Sequence, residues 1–558
     1  MPCILVNRMT AKYRARWAPR GHGWSDGACS SDNPCIAMSA TAIDTMDPQE
    51  SARRLAASNL AALRSSQPEV AEKLASDPGE TARVEVARDG SLSLRLDGGR
   101  WLAGCSVPLA AARCMLRELR IGGTVACMLA PAHPALLTAA LERLSPLQAL
   151  IASGPDLSFA SAAIRLADFS HAIGAGRLFL VFGDDWPEAL ESLLNERPGL
   201  PVPTQLVRTP FLNDDEVRPL HSTAQRVFAA VNARRLALAN SLRAGEGRPA
   251  GPVGRVCVVE QSHFRLWDDA GHDLPRMLQR GGTAVRCVDV DRPDESSALS
   301  VGLAARDCDA VAAANTPRSV LAAVLPQELP LINWATRRPL PSPDPACPLD
   351  RLAVPDARWR SEAVALGWRA TNVDLLDLPT LELPPPAADG PVGFIVNVVN
   401  PSTTPEFAFS SHGGLWECIA AELARNPLAA GESPGAYLDG VARRLGIDPS
   451  SLDRPTFIDG LIVSATAIAL ARLLRGAGVS VGLWGEGWDG LADLRPAWIE
   501  AVGSRESLAN AAGFCRGLVH LWPHRRPHPI EKCGRTVLRP WTGGLEQLVR
   551  AARSIRRA

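Results

Sequence analysis

The sequence predicts an α/β protein of several domains: two Rossmann-like domains built on parallel sheets, preceded by a further α/β domain. Three observations predict it. Short apolar runs alternate with longer stretches of helical periodicity over most of the chain, the pattern left by parallel strands joined through crossover helices. The length, 558 residues, exceeds one ordinary domain and suits about three or four compact units. Two breaks rich in Gly and Pro, at 243–254 and 378–391, interrupt the alternation as linkers do. The expected divisions are a disordered tail or over-extended start at 1–46, an α/β domain at 47–250, and Rossmann-like domains at 251–385 and 386–558.

Taken in order, residues 1–44 mix Arg, Gly, Ser and Cys without periodicity and lack the apolar centre of a secretory signal, and Met38 or Met46 would begin a cleaner domain. Residues 48–74 carry Leu55, Leu60, Leu63, Val70 and Leu74 at helical spacing, with Gly79 as the stop. Residues 84–96 alternate on both sides of Asp89-Gly90, a hairpin signal. Strands follow at 124–129, 149–152 and 178–182. Beyond the first break come strands at 255–260, 284–290, 310–313, 331–334, 351–354 and 371–375. Beyond the second, a strand at 392–399, a helix at 415–426, a helix at 461–474 stopped by Gly476 and Gly478, a strand at 479–484, a helix at 504–514 and a strand at 518–522 are expected. A short helix opening around Pro529 to Glu531 and a strand after Gly534 complete the series.

Composition narrows the class. Hydrophobic residues make up 46% and charged residues 21%, a globular balance. Lys plus Arg equals Asp plus Glu at 59 each, which removes a chain-wide electrostatic case for nucleic acid or membrane binding. Only Lys12, Lys73 and Lys532 are Lys, so abundant Arg reflects a compositional bias and is not read as phosphate recognition. Thirteen Cys without a C-x-x-C pair argue against a disulfide framework and a zinc site, and suit a reducing cytoplasm. Cys3, His22, Cys29 and Cys35 are too irregularly spaced for metal ligands. The apolar run 461–474 contains Ser464, Thr466 and Arg472 and falls short of a bilayer span, so a buried helix and no integral membrane segment are expected.

Two resemblances add to this reading. The segment Asn59-Leu-Ala-Ala-Leu63, then Gln67-Pro68-Glu69, the 84–96 hairpin, the strand 125–130 and Gly183-Asp184-Asp185 resemble the amino-terminal part of motility accessory factor (Maf-type) flagellin glycosylation proteins. Where that family has a Gly-rich turn, this chain has Leu129-Ala-Pro-Ala-His-Pro134, and two prolines remove amide donors. A scaffold or oligomerisation role is therefore expected there. The series from 461 onward, with Gly485-Glu486-Gly487-Trp488 after a strand and Glu531-Lys-Cys-Gly534-Arg535-Thr-Val-Leu538 near the end, resembles the carboxyl-terminal domain of CgeB-type spore-maturation glycosyltransferases. That resemblance covers roughly the last third of the chain. It implies a GT-B arrangement, in which the ligand sits between two Rossmann-like halves.

The candidate site residues divide between those halves. On the donor side, Gly485 and Gly487 would let a loop point amides at a phosphate, and glycine turns after strands are also common without any ligand. The resemblance implies that Glu531 accepts hydrogen bonds from a ribose or sugar hydroxyl, with His528, Gly534 and Arg535 around the donor. From His524 to the end there are eight Arg and one Lys against two Glu, and those of the last helix read as a solvated helix end. Ser411, His412, Gly413 and Gly414 form a second phosphate candidate, or an ordinary helix entry with a Ser cap. On the acceptor side, the loop Gln261-Ser-His263-Phe-Arg265-Leu-Trp-Asp268-Asp269 is dense in titratable groups. His263 or Asp268 would serve as base and Arg265 would steer phosphate; the alternative is a polar loop in which Asp268 or Asp269 caps the next helix. No divalent-metal signature occupies a strand end, so the expected reaction is metal-independent and uses no cofactor beyond a nucleotide-sugar donor. The expected acceptor is a protein or glycan hydroxyl.

Overall fold

A computed structural model describes residues 47–555 apart from 77–82, 97–98, 118–122, 208–212, 246–253, 264–265, 267–269, 337–339, 378–382, 384–388, 406, 408 and 523–534, and apart from the side chains of 270–272. The fold is multidomain and Rossmann-like α/β, with three parallel sheets. The chain divides into two compact units, one of Met1–Ala237 with Arg292–Ser297, the other of Leu238–Asp291 with Ala298–Ala558.

In the first unit the helix expected over 48–74 is two helices, Pro48–Ser66 and Pro68–Ser76. The break falls at Gln67, with φ −143° and ψ 68°, because a residue before proline is pushed out of the helical region. Gln67 Oε1 then accepts the amide of Leu180 at 3.1 Å. Fully buried Asn59 works as a clamp. Its Nδ2 donates to the carbonyls of Ile164 and Ala167, both at 2.8 Å, and its Oδ1 accepts the Phe169 amide at 2.8 Å. The hairpin of β1 (Arg83–Val86) and β2 (Leu92–Arg95) pairs Val84 with Leu94, and Gly90 takes the positive φ (+80°) that its turn requires.

The four-stranded sheet of this unit contains β3 (Val125–Leu129), β4 (Ala149–Gly154), β5 (Leu178–Phe182) and β6 (Gln205–Val207), in the order β5-β4-β3-β6. Alternation along buried strands sorts side chains onto two faces. Ala126, Met128, Leu150, Ala152 and Leu180 enter one core cluster. Cys127, Leu129, Ile151, Phe179 and Val181 enter the other.

The second unit holds two parallel sheets. The first has β7 (Arg255–Glu260), β8 (Ala284–Asp289), β9 (Ala310–Ala314), β10 (Leu331–Trp334), β11 (Arg351–Val354) and β12 (Val373–Leu375), in the order β12-β11-β10-β9-β7-β8. The other has β13 (Val392–Ile395), β14 (Val481–Trp484), β15 (Trp498–Glu500), β16 (Gly517–Val519) and β17 (Thr536–Leu538), in the order β15-β14-β13-β16-β17. In each sheet the opening strand, β7 or β13, is flanked on both sides by later strands. Strand order therefore reverses there, opening a crevice at the carboxyl edge.

The apolar run expected as a helix at 461–474 begins earlier, as a π-helix at Thr456–Val463 that passes into the α-helix Ser464–Gly476. By length and composition this continuous helix could cross a membrane, but 67% of its most apolar window is buried inside the fold. Its Phe457 and Leu461 join Trp416 and Leu438 of neighbouring helices in one buried cluster.

Candidate functional site

At the carboxyl edge of the five-stranded sheet, the loop after β14 lies on the loop after β13. Gly485 adopts φ +115° and Gly487 φ +86°, and a Cβ on either would collide with a backbone carbonyl oxygen, that of Val396 or Val398 respectively. Glycine is required here by close loop packing. Hydrogen bonds fix the arrangement: the Gly485 amide donates to Glu500 O at 3.0 Å, the Glu486 amide to Asn397 Oδ1 at 3.0 Å, and the Val398 amide to Glu486 O at 2.9 Å. Trp488 Nε1 donates to Val396 O at 2.8 Å. Two amides that the sequence suggested for a phosphate are thus engaged by protein acceptors.

Ser411, His412, Gly413 and Gly414 are not a loop preceding a helix. They form the first turn of the helix Ser410–Arg425, which starts five residues before the Leu415 expected from the sequence. Small residues conceal a helix start when no apolar period marks it. The His412 amide of this first turn donates to Phe409 O at 3.0 Å, and helix starts favour anions through the amides that remain. His412 is 7% exposed and packs edge-on against Phe407, Phe409 and Phe457, with ring centroids 5.8, 5.2 and 6.4 Å away. Gly414 has open space where a side chain would be, and Gly413 meets only Thr404 at 3.6 Å.

Arg535 is placed elsewhere. It precedes β17, at the amino edge of the same parallel sheet, where its Nε and Nη2 donate to the carbonyls of Ala512 and Gly513, each at 3.3 Å. These carbonyls belong to the last turn of the helix Arg505–Phe514, where a cation offsets the negative helix end. The Gly485 to Gly487 loop follows its strand and Arg535 precedes one, so about a strand length, roughly 10 Å, separates them along the sheet. The structure does not bring these two together. His528, Glu531 and Gly534 lie outside the described residues.

In the six-stranded sheet, His263 is exposed directly after β7. Its amide donates to Asp291 Oδ2 at 3.0 Å, and the amide of Ser262 donates to Asp289 Oδ1 at 3.2 Å. Ser262 Oγ also bonds Asp289 Oδ2. Two carboxylates, one on the last residue of β8 and one just beyond it, therefore pin the exit of β7. Arg265 and Asp268 lie outside the described residues. Leu266 of this loop packs against the core of the five-stranded sheet.

One contact gives the second unit its organisation. Asp273, in the first turn of the helix Ala270–Arg280 that follows β7, pairs through Oδ1 with Nη1 of Arg505, in the first turn of the helix that follows β15. Both helices leave the carboxyl edge of their sheets. The charge pair and Leu266 together set those edges against each other. Sequence reasoning missed Asp273 and Arg505: 232 residues separate them, and each alone reads as an ordinary helix-start charge.

The first unit places its proline-containing turn beside β3. Ala130 takes φ +42°, a conformation in which a non-glycine residue is strained, and its amide donates to Ser153 O at 2.7 Å. His133 is 3% exposed; its Nδ1 accepts the Ala135 amide at 3.0 Å, and its Nε2 lies 3.2 Å from Ser93 Oγ. Burial lowers its pKa to about 4, against a smaller upward pull from Asp89. Among the described residues no group of three or more His, Cys, Asp or Glu is placed to hold a metal ion.

No protein family matches the chain, and no curated protein matches it. Among solved structures it is similar to the MAf glycosyltransferase from Magnetospirillum magneticum AMB-1, at 14% identity and a TM-score of 0.26. The aligned region covers 54% of this chain and 63% of that one, so the chain spans less than two thirds of that protein's length. A likeness of this size carries nothing about activity, and the fold is read from the sheets themselves.

Proposed function

We propose that the second unit is a glycosyltransferase of GT-B design, moving a sugar from a nucleotide-sugar donor to a hydroxyl of a protein or glycan. The observation that carries this reading is the Asp273 to Arg505 pair, because it joins the first turns of two helices that leave facing carboxyl edges. Crevices at such edges are where open α/β sheets bind ligands. The donor diphosphate would meet the first turn at Ser411, His412, Gly413 and Gly414, where helix amides and the helix dipole replace a divalent cation. Glu531 would contact the donor's ribose or sugar, as its resemblance to CgeB-type proteins implies; His528 would stand beside it where that family has an Arg and an aromatic.

In the proposed reaction the acceptor oxygen attacks the anomeric carbon. The bond from that carbon to the diphosphate oxygen breaks, and its electron pair leaves with the nucleotide. The hydroxyl proton passes to His263 or Asp268. A cytoplasmic setting suits a chain of thirteen unpatterned cysteines. Calorimetry with UDP-, GDP-, CMP- and dTDP-sugars tests the reading: the folded protein should bind at least one, and binding none refutes it.

A second reading is a catalytically degenerate nucleotide-binding or assembly protein of a surface-glycosylation pathway. It is favoured by the engagement of the Gly485 and Glu486 amides within the protein. Saturable nucleotide binding without turnover, or a co-purifying partner without any nucleotide effect on melting, would support it.

A further inference from the structure

The amino edge of the five-stranded sheet, where β13 and β14 begin, carries a cavity of about 40 Å³. Its lining includes Gly390, Gly478, Ser480, Arg516, Arg553 and Ile555, and among the described residues no carboxylate lines it. A cavity needs roughly 10–15 Å³ to admit one water, so this one has room for several oxygen atoms. Other arginines of this domain are paired with acids: Arg444 with Glu422, Arg454 with Asp439, Arg472 with Asp493. Arg516 and Arg553 make no ion pair among the described residues and donate to helix-end carbonyls instead. Arg516 Nη1 donates to Ile555 O at 3.0 Å, at the end of the helix Gly544–Ser554. Arg553 Nε and Nη2 donate to Ala477 O at 3.3 and 2.6 Å, at the end of the helix Ser464–Gly476. Each helix end carries roughly half a negative charge, so the two together offset about one of the two guanidinium charges. Arg516 Nε is buried with no hydrogen-bond partner among the described residues, so donor capacity remains as well as charge.

We infer that this cavity is a binding site for a phosphoryl group, free or at the end of a small phosphomonoester, held by Arg516 and Arg553. Water would satisfy the spare donors and leave the charge; an oxoanion satisfies both. The planar fork of a guanidinium matches the oxygens of a phosphoryl group and gives a spherical halide no such fit. Two arginines serving only as helix caps would not need to share the wall of a cavity that lacks any acid. The site lies at the opposite edge of the sheet from Gly485 and from the start of the helix Ser410–Arg425, roughly 10 Å or more along the strands. It is therefore separate from the proposed donor diphosphate and does not rest on the glycosyltransferase reading.

The test is calorimetry and thermal melting of the full-length protein with inorganic phosphate and with glycerol phosphate, against chloride at matched ionic strength. The wild type should bind and be stabilised by at least one of the two phosphates, and chloride should leave melting unchanged. Binding of both assigns the cavity to a terminal phosphoryl group, and binding of inorganic phosphate alone assigns it to the free ion. Arg553→Gln and Arg516→Gln should each weaken the phosphate affinity about ten- to a hundredfold, the loss of one charge-assisted contact. Arg550→Gln, on the same helix but outside the cavity lining, should leave it unchanged. No phosphate binding by the wild type, equal stabilisation by chloride, or full affinity in Arg553→Gln overturns the inference. An equal loss in Arg550→Gln also overturns it, because the effect is then one of general surface charge. Arg553 is exposed, so if Arg516→Gln does not fold, Arg553→Gln decides alone.

Discussion

Acid should loosen the first unit through His133. The ring is held in one tautomer: the Ala135 amide donates to Nδ1, so Nε2 carries the proton and donates to Ser93 Oγ. A second proton would remove the acceptor at the start of the helix Ala135–Arg143 and place a charge in a pocket that is 3% exposed. Burial holds the folded pKa near 4, below the ordinary value of 6.5. Above 6.5 neither state binds the proton, so stability is independent of this residue's titration. Between 6.5 and 4 only the unfolded chain binds it, and each pH unit removes about 1.4 kcal/mol. Below 4 both states bind it and the loss levels at about 3 kcal/mol. His133→Gln should lower stability at neutral pH and flatten the profile. The assay is hydrogen exchange of peptides spanning β3 and the helix Ala135–Arg143, corrected for intrinsic rates. The wild type should lose roughly a hundredfold more protection than the variant across that pH interval. Parallel profiles would refute the reasoning.

Three further outcomes are expected. Gly487→Ala adds a Cβ against Val398 O at a left-handed backbone position, so it should cost about 1–3 kcal/mol or more by thermal unfolding and displace the loop on β14. Arg318 and Asp350 form a buried ion pair at 3.0 Å, each side chain 5% exposed, and Asp350 also accepts the Leu331 amide at 2.8 Å. Arg318→Met should therefore cost about 3–5 kcal/mol in urea unfolding, and the double variant Arg318→Met/Asp350→Leu should recover only part of it, because the Leu331 amide then loses its acceptor. Glu531→Ala should abolish slow hydrolysis of a bound nucleotide-sugar, followed by release of free sugar; undiminished hydrolysis would remove Glu531 from the donor site.

Much of the fold was legible because buried parallel strands are nearly continuous apolar runs. The strands expected at 178–182, 255–260, 331–334 and 351–354 have those limits in the structure. β6 was missed, since Gln205-Leu-Val207 is too short to leave a period. The expected strands at 392–399 and 479–484 shortened to Val392–Ile395 and Val481–Trp484, because apolar character continues beyond the residues that pair. The single helix over 48–74 failed at Pro68, whose effect on Gln67 is local and could have been read.

The sequence by itself determined the alternation of strands and helices, the hairpin at Asp89-Gly90, the balance of charge and the glycines of the β14 exit. Each is a local pattern imposed by backbone geometry or burial. Tertiary structure alone decided what those residues meet: that Gly485 and Gly487 make room for the carbonyls of Val396 and Val398, that Arg535 serves the amino edge, and that Asp273 faces Arg505. Such pairings depend on where the sheets bring distant segments together, and a contact across 232 residues leaves no periodicity at either end.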